Sequence, residues 1–91
     1  MARVHLPAPL RSPVDGRETV IVPGDTVGEV LAALAAERPD IAGAVWADRR
    51  RLAPGLAVFL GRANIRSLRG LETRVGEDAD LFLVAPLLVG R

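Results

Sequence analysis

The last dozen residues of the chain are Asp80-Leu81-Phe82-Leu83-Val84-Ala85-Pro86-Leu87-Leu88-Val89-Gly90-Arg91. The apolar run from Leu81 to Ala85 is typical of a buried strand, and Pro86 ends it because proline cannot donate a hydrogen bond to a sheet. Chain ends are poorly ordered unless something holds them, and an apolar end needs a partner to cover it. We therefore expect residues 86–91 to form an extended C-terminal tail that another protein binds, and residues 1–85 to form the domain that presents this tail.

Size and composition limit the classes of protein to which the chain can belong. Its 91 residues are enough for one domain with a small core. The absence of cysteine excludes thiolate metal sites and cysteine nucleophiles. The net charge is only +1, which gives little long-range attraction for nucleic acid. Since no apolar stretch approaches the roughly 20 residues of a membrane span, we expect a cytoplasmic protein that binds neither nucleic acid nor membrane.

Hydrophobic patterning predicts one main helix among several strands. Thr26-Val27-Gly28-Glu29 is a capping box, and apolar residues then recur at helical spacing until Arg38-Pro39 stops the pattern. This pattern predicts a helix over about 27–38. Residues 41–46 are compatible with a short helical turn. Strands are predicted at residues 3–6, 18–22, 56–60 and 81–85. This order indicates a small α+β domain whose first and last strands are central.

Alternation along the strands predicts an exposed apolar surface, because successive side chains of a strand point to opposite faces. The side chains expected to face the helix are those of Val58, Leu60, Phe82 and Val84. Those expected to face away are Ala57, Phe59, Leu81 and Leu83. An exposed apolar patch on a small domain usually marks an interface. The alternative is that the loop over residues 47–55 covers it.

Five stretches of the sequence, taken together in their order and spacing, are typical of a known protein family. They are Thr26-Val27-Gly28-Glu29-Val30-Leu31, Ala57-Val58-Phe59-Leu60, Asn64-Ile65-Arg66, Gly70-Leu71-Glu72-Thr73 and the ending from Pro86 to Gly90. Together they resemble the ubiquitin-like sulfur carriers of the ThiS and MoaD type. The run from Ile65 to Thr73 is most similar to the branch containing the cysteine-biosynthetic sulfur carrier. The resemblance implies a β-grasp fold, with a mixed sheet of four to five strands and one main helix packed on one face.

The resemblance also implies a protein that is not an enzyme and that holds no cofactor or metal itself. In this family an ATP-dependent activating enzyme adenylates the C-terminal carboxylate, a sulfur donor converts it to a thiocarboxylate, and the carrier delivers the sulfur to a biosynthetic enzyme. The sulfur-carrying C-terminus would then be formed by Gly90 and Arg91. Contacts with these partners are expected from Phe59, Leu81, Leu83, Pro86, Leu87, Leu88 and Val89.

The sequence departs from the family at its end, because Arg91 stands where the family has its terminal glycine. Three interpretations are open. Arg91 is trimmed to expose Gly90, a dedicated activating enzyme accepts arginine, or sulfur transfer has been lost. The third interpretation gives an alternative function, that of a ubiquitin-like interaction or regulatory subunit that binds a biosynthetic enzyme without carrying sulfur.

Other residues are weaker candidates for a site. His5 is the only histidine, and neither a metal-binding nor a catalytic role is expected, because no cysteine or second histidine can join it. Arg49-Arg50-Arg51 is expected to be a solvated loop, and Trp46 to cover one end of the core. Two interpretations, ordinary surface charge and contact with an acidic partner, remain open for Arg62, Arg66, Arg69 and Arg74.

Overall fold

The computed structural model describes residues 1–7, 19–48 and 50–84, and in these ranges the chain forms five strands and two α-helices. The strands are β1 (Ala2–His5), β2 (Thr19–Val22), β3 (Ala57–Leu60), β4 (Ala63–Asn64) and β5 (Asp80–Val84). The helices are α1 (Val27–Glu37) and α2 (Pro39–Val45). Two 3-10 turns, Ile65–Ser67 and Gly70–Glu72, lie between β4 and β5.

The strands form one mixed sheet in the order β2-β1-β5-β3-β4. The pairing of β1 with β5 is parallel, and the other neighbouring strands are antiparallel. The first and last strands therefore lie side by side in the middle of the sheet, as the sequence predicts. The α+β class is confirmed.

Helix α1 begins at the predicted position, after the capping residue Thr26. The Thr26 hydroxyl oxygen accepts a hydrogen bond from the Glu29 backbone N–H at 3.2 Å, while the Glu29 carboxylate accepts one from the Asp25 N–H at 2.8 Å. The helix ends at Glu37, and α2 begins two residues later. Pro39 stops the first helix and starts the second, because proline is favourable in the first turn of a helix, where its missing N–H would be unpaired anyway.

The core lies between the helices and one face of the sheet, which we call the inner face. The sheet contributes Ala2, Val4, Val20, Val22, Val58, Leu81 and Leu83. The helices contribute Val27, Val30, Leu31, Leu34, Ile41 and Val45. Trp46 is half-buried against this cluster, and its indole N–H donates to the Leu31 carbonyl oxygen at 3.2 Å, in agreement with its predicted place at one end of the core. No helix in the described part of the chain is long and apolar enough to span a bilayer.

The orientation predicted for the last strand is wrong. Leu81 and Leu83 are 0% and 3% exposed, whereas Phe82 and Val84 are 38% and 50% exposed. The two leucines therefore offer no surface to a partner, and the two residues expected in the core lie on the outer face. In β3 the predicted orientation is confirmed, since Val58 is buried.

Strand pairing explains the orientation of β5. Leu81 is the register partner of the buried Val4, and Leu83 is the partner of the buried Val58. The apolar run after Asp80 has no alternation from which to read an inner face. Asp80 itself indicates the outer face, because a carboxylate is costly to bury. Residues two apart on a strand share a face, so Phe82 and Val84 lie on the same outer face as Asp80.

Candidate partner-binding face of the sheet

The outer face of the sheet, opposite the helices, carries a continuous row of side chains that crosses all five strands. Its members are successive register partners in the order Thr19, His5, Phe82, Phe59 and Asn64. Residues directly opposite on neighbouring strands have Cβ atoms only about 4.5–5.5 Å apart. The row therefore forms one surface, with aromatic side chains at its centre.

His5 is held in this row by three neighbours. Its ring stacks on that of Phe82, with the centroids 4.3 Å apart and the planes 10° from parallel. Its Nε2 lies 2.8 Å from Asp80 Oδ1, and its Nδ1 lies 3.4 Å from the Thr19 hydroxyl oxygen. A neutral ring with its proton on Nε2 satisfies both polar contacts, since it donates to the carboxylate and accepts from the hydroxyl.

Asp80 joins two basic side chains on the outer face. The Arg3 guanidinium donates from Nε to Oδ1 at 2.8 Å and from Nη2 to Oδ2 at 3.2 Å. These bonds from Arg3, together with the hydrogen bond from His5, hold the pKa of the Asp80 carboxyl well below its usual range. The same contact with Asp80 raises the pKa of Arg3. The aromatic centre of the face is thus bordered by the ionised carboxylate of Asp80, and the guanidinium of Arg3 balances its negative charge.

The apolar part of the outer face lies where β5 ends. Exposed Phe82 pairs with Phe59, and exposed Val84 pairs with Ala57. We call these four residues, Ala57, Phe59, Phe82 and Val84, the outer patch. Such a patch at the surface of a small domain is typical of a protein interface. It includes Val84, the last residue that the structure describes before the C-terminus. Within the described residues, no group of three or more His, Asp or Glu side chains could hold a metal ion.

Comparison with solved structures identifies the fold. The structure of CysO from Mycobacterium tuberculosis, described as an antigen, matches with a TM-score of 0.83 and 21% identity over 96% of this chain and 100% of that one. A chain of the BexX/CysO complex from Amycolatopsis orientalis matches with a TM-score of 0.85 and 22% identity, over 99% and 100% of the two chains. SAMP1 from Haloferax volcanii matches with a TM-score of 0.77 and 28% identity, over 98% of each chain.

This chain has the ubiquitin-like β-grasp fold. The structural similarities confirm the predicted β-grasp fold and the resemblance in fold to CysO and SAMP1. No protein-family model and no curated protein matches the sequence.

The partner-binding residues predicted from the sequence fall in three places in this β-grasp protein. Phe59 lies in the outer patch, whereas Leu81 and Leu83 lie in the core. The tail residues lie outside the described residues, and their roles in partner binding and sulfur carrying stay predictions. They are Pro86, Leu87, Leu88, Val89, Gly90 and Arg91.

Sequence reasoning missed Phe82 and Val84, and it missed the contacts between Arg3, His5 and Asp80. One residue of the sequence, Asp80, indicated both the outward orientation of these side chains and the contacts. A charged residue at the start of an apolar strand marks the solvent face, so Asp80 could have placed Phe82 and Val84 outside. The same residue on a central strand needs a partner on the neighbouring strand, and His5 and Arg3 were available in the strand predicted beside it.

Proposed function

We propose that this protein is a ubiquitin-like sulfur carrier, a non-catalytic co-substrate whose C-terminal carboxylate is charged and then used by other enzymes. The observation that carries the proposal is the similarity over nearly the whole chain to CysO and SAMP1. The outer patch supports it, because a carrier needs an apolar docking surface near the end that it delivers. The CysO structure solved as a complex with BexX supports a partner of a different kind rather than a second copy of the chain.

The proposed chemistry takes place on the tail. An activating enzyme transfers AMP from ATP to the C-terminal carboxylate and releases pyrophosphate, and a sulfide-level donor then displaces AMP to leave a thiocarboxylate. Seven residues follow Val84, and an extended chain of that length spans at most about 25 Å. The terminal carbonyl can therefore enter an active site while the outer patch contacts the surface around it.

Intact mass spectrometry tests this function directly. The full chain is incubated with an ATP-dependent activating enzyme of the sulfur-carrier type, ATP and sulfide. The expected result is a mass gain equal to one sulfur-for-oxygen exchange, which requires ATP. Loss of one arginine before this gain would place the sulfur on Gly90, and a gain on the full-length chain would place it on Arg91. A chain lacking residues 90–91 is the matched control. An unchanged mass, with an activating enzyme that charges its own carrier, would refute the proposal.

Arg91 favours one second candidate, the interaction or regulatory subunit. Glycine suits a narrow channel because it has no side chain, whereas arginine would need room beside the reacting carbonyl. In this case the chain binds a biosynthetic enzyme and its mass never changes. Binding to that enzyme without any mass gain, measured on the same sample, would identify this alternative.

A further inference from the structure

A surface depression of about 430 Å³ lies beside the outer patch. It is lined by the loop over residues 50–56, by the start of β3 and by the segment from Asn64 to Leu71. Its volume lies in the range of roughly 300–1,000 Å³ that is usual for ligand sites. Ala57 belongs to both surfaces, and its register partner Val84 is the last described residue before the tail. A protein that holds the tail would therefore also face this depression.

The apolar lining of the depression is fixed by the core. It includes Leu52, Leu56, Val58, Ile65 and Leu71. Val58 and Ile65 are themselves part of the buried core, and the three leucines pack against it. The loop that carries two of these leucines is tied to α2, because the Ala53 N–H donates to the Val45 carbonyl oxygen at 2.8 Å. The apolar lining is therefore formed before any ligand arrives.

In the described part of the chain, the charged side chains that line the depression are all positive. Arg50, Arg51 and Arg66 contribute to the lining, and among the described lining residues there is neither Asp nor Glu. Arg51 has a carboxylate oxygen of Asp48 at 3.7 Å, but its side chain is still 80% exposed. Within residues 1–7, 19–48 and 50–84, neither the Arg50 nor the Arg66 guanidinium forms an ion pair with a carboxylate, although the Asp48 carboxylate accepts a hydrogen bond from the Arg50 backbone N–H at 2.8 Å. The depression thus combines a preformed apolar floor with three guanidinium groups, of which only that of Arg51 is near a carboxylate among the described residues, at 3.7 Å.

We infer that this depression, the arginine pocket, binds an acidic segment of the protein that receives the tail. One apolar side chain of that segment lies on the leucine-rich floor, and carboxylates on either side of it bind the arginines, whose planar guanidinium groups match carboxylate geometry. Since an exposed ion pair alone contributes little, the apolar contact is needed for binding. The identity of the partner rests on the proposed function, whereas the chemistry of the pocket does not.

Two-dimensional NMR of the full ¹⁵N-labelled chain tests this inference. The probe is the blocked peptide acetyl-Asp-Asp-Leu-Asp-Asp-amide, and we expect it to shift the backbone amide signals of Leu56, Ile65 and Leu71. Arg66→Glu should weaken binding about fivefold, as expected when an exposed attraction becomes a repulsion. Arg62→Glu is the matched control, because Arg62 is also exposed and is only four residues from Arg66 in the sequence, but it does not line the pocket. Replacing the central leucine of the peptide by serine should also weaken binding.

Three outcomes would overturn the arginine pocket. These are equal binding by the Arg66→Glu and Arg62→Glu variants, equal binding of the corresponding lysine peptide, and equal shifts caused by inorganic phosphate. Dispersed spectra of both variants verify that they are folded. The peptide experiment does not involve the tail. A chain that forms a thiocarboxylate but ignores the acidic peptide would disprove the pocket and leave the carrier function standing.

Discussion

The imidazole of His5 stacks on the ring of Phe82, with the centroids 4.3 Å apart and an interplanar angle of 10°. His5 lies on β1 and Phe82 on β5, and the parallel pairing of these strands makes the two residues register partners. Asp80, on the same face of β5, holds His5 and Arg3 by hydrogen bonds. Strand β5, which leads to the tail, therefore contacts β1 through outer-face side chains as well as through the core. These contacts hold the outer patch in one orientation.

Adjacent residues of β5 should differ sharply in their contribution to stability. Leu81→Ala removes a side chain that is 0% exposed and should lower the free energy of unfolding by about 2–5 kcal/mol. Phe82→Ala removes a side chain that is 38% exposed and should cost about 1 kcal/mol, chiefly through loss of the stack on His5. Urea denaturation of the two variants measures this difference. A larger loss for Phe82→Ala would contradict the orientation of the strand.

Local signals in the sequence predicted the framework of the fold, because they act over a few residues. The Thr26 hydroxyl caps α1 as predicted, and the Glu29 carboxylate reaches back to the N–H of Asp25, one residue before the position that a full capping box requires. Pro39 ends the helix within one residue of the predicted position. A second helix at 39–45 was only partly anticipated. Its first turn contains the same proline that was interpreted as a stop.

The surface could not be predicted in the same way, because it depends on pairing between distant segments. The run after Asp80 is apolar at every position, so only its register with β1 and β3 shows which side chains point outward. The arginine pocket likewise brings together Arg50, from a loop, and Arg66, from the first 3-10 turn. No local pattern indicates that these two residues line one depression.

The outer patch should be required for docking to the activating enzyme. Val84→Asp places a charge at the apolar end of the outer face and should weaken binding by about tenfold or more, as for a residue at the centre of an interface. Val84 is 50% exposed, so the variant should fold. Ile21→Asp is the matched control, since Ile21 is 57% exposed and lies on the edge strand β2, two strands away from β5. Calorimetric titration measures both affinities, and equal losses would contradict a localised docking surface.

Asp80 should make the stability of the domain depend on pH in the acid range. Its pKa is lowered in the folded protein, by Arg3 first and His5 second, so the folded state favours the ionised form. The resulting stabilisation is complete above the pKa of the unfolded chain, near pH 4, and is lost as the pH falls below that value. Asp80→Asn should therefore flatten the decline of thermal stability below about pH 4. Glu77→Gln, which removes an exposed carboxylate without these partners, should leave the slope unchanged. If the two variants show the same slope, the contacts of Asp80 do not produce this pH dependence.

Two glycines should respond in opposite directions to the same substitution. Gly24 has φ +146°, and a Cβ there would lie 2.7 Å from the Val30 backbone nitrogen, at the start of the helix that carries much of the core. Gly24→Ala should therefore lower the free energy of unfolding by about 1–3 kcal/mol. Gly43 lies in α2, and a Cβ there would meet nothing within 4 Å. Gly43→Ala should raise the free energy of unfolding by about 0.5–1 kcal/mol, because alanine loses less conformational entropy in a helix. Urea denaturation measures both changes. Tolerance of alanine at residue 24 would mean that the turn before α1 is not held in this conformation.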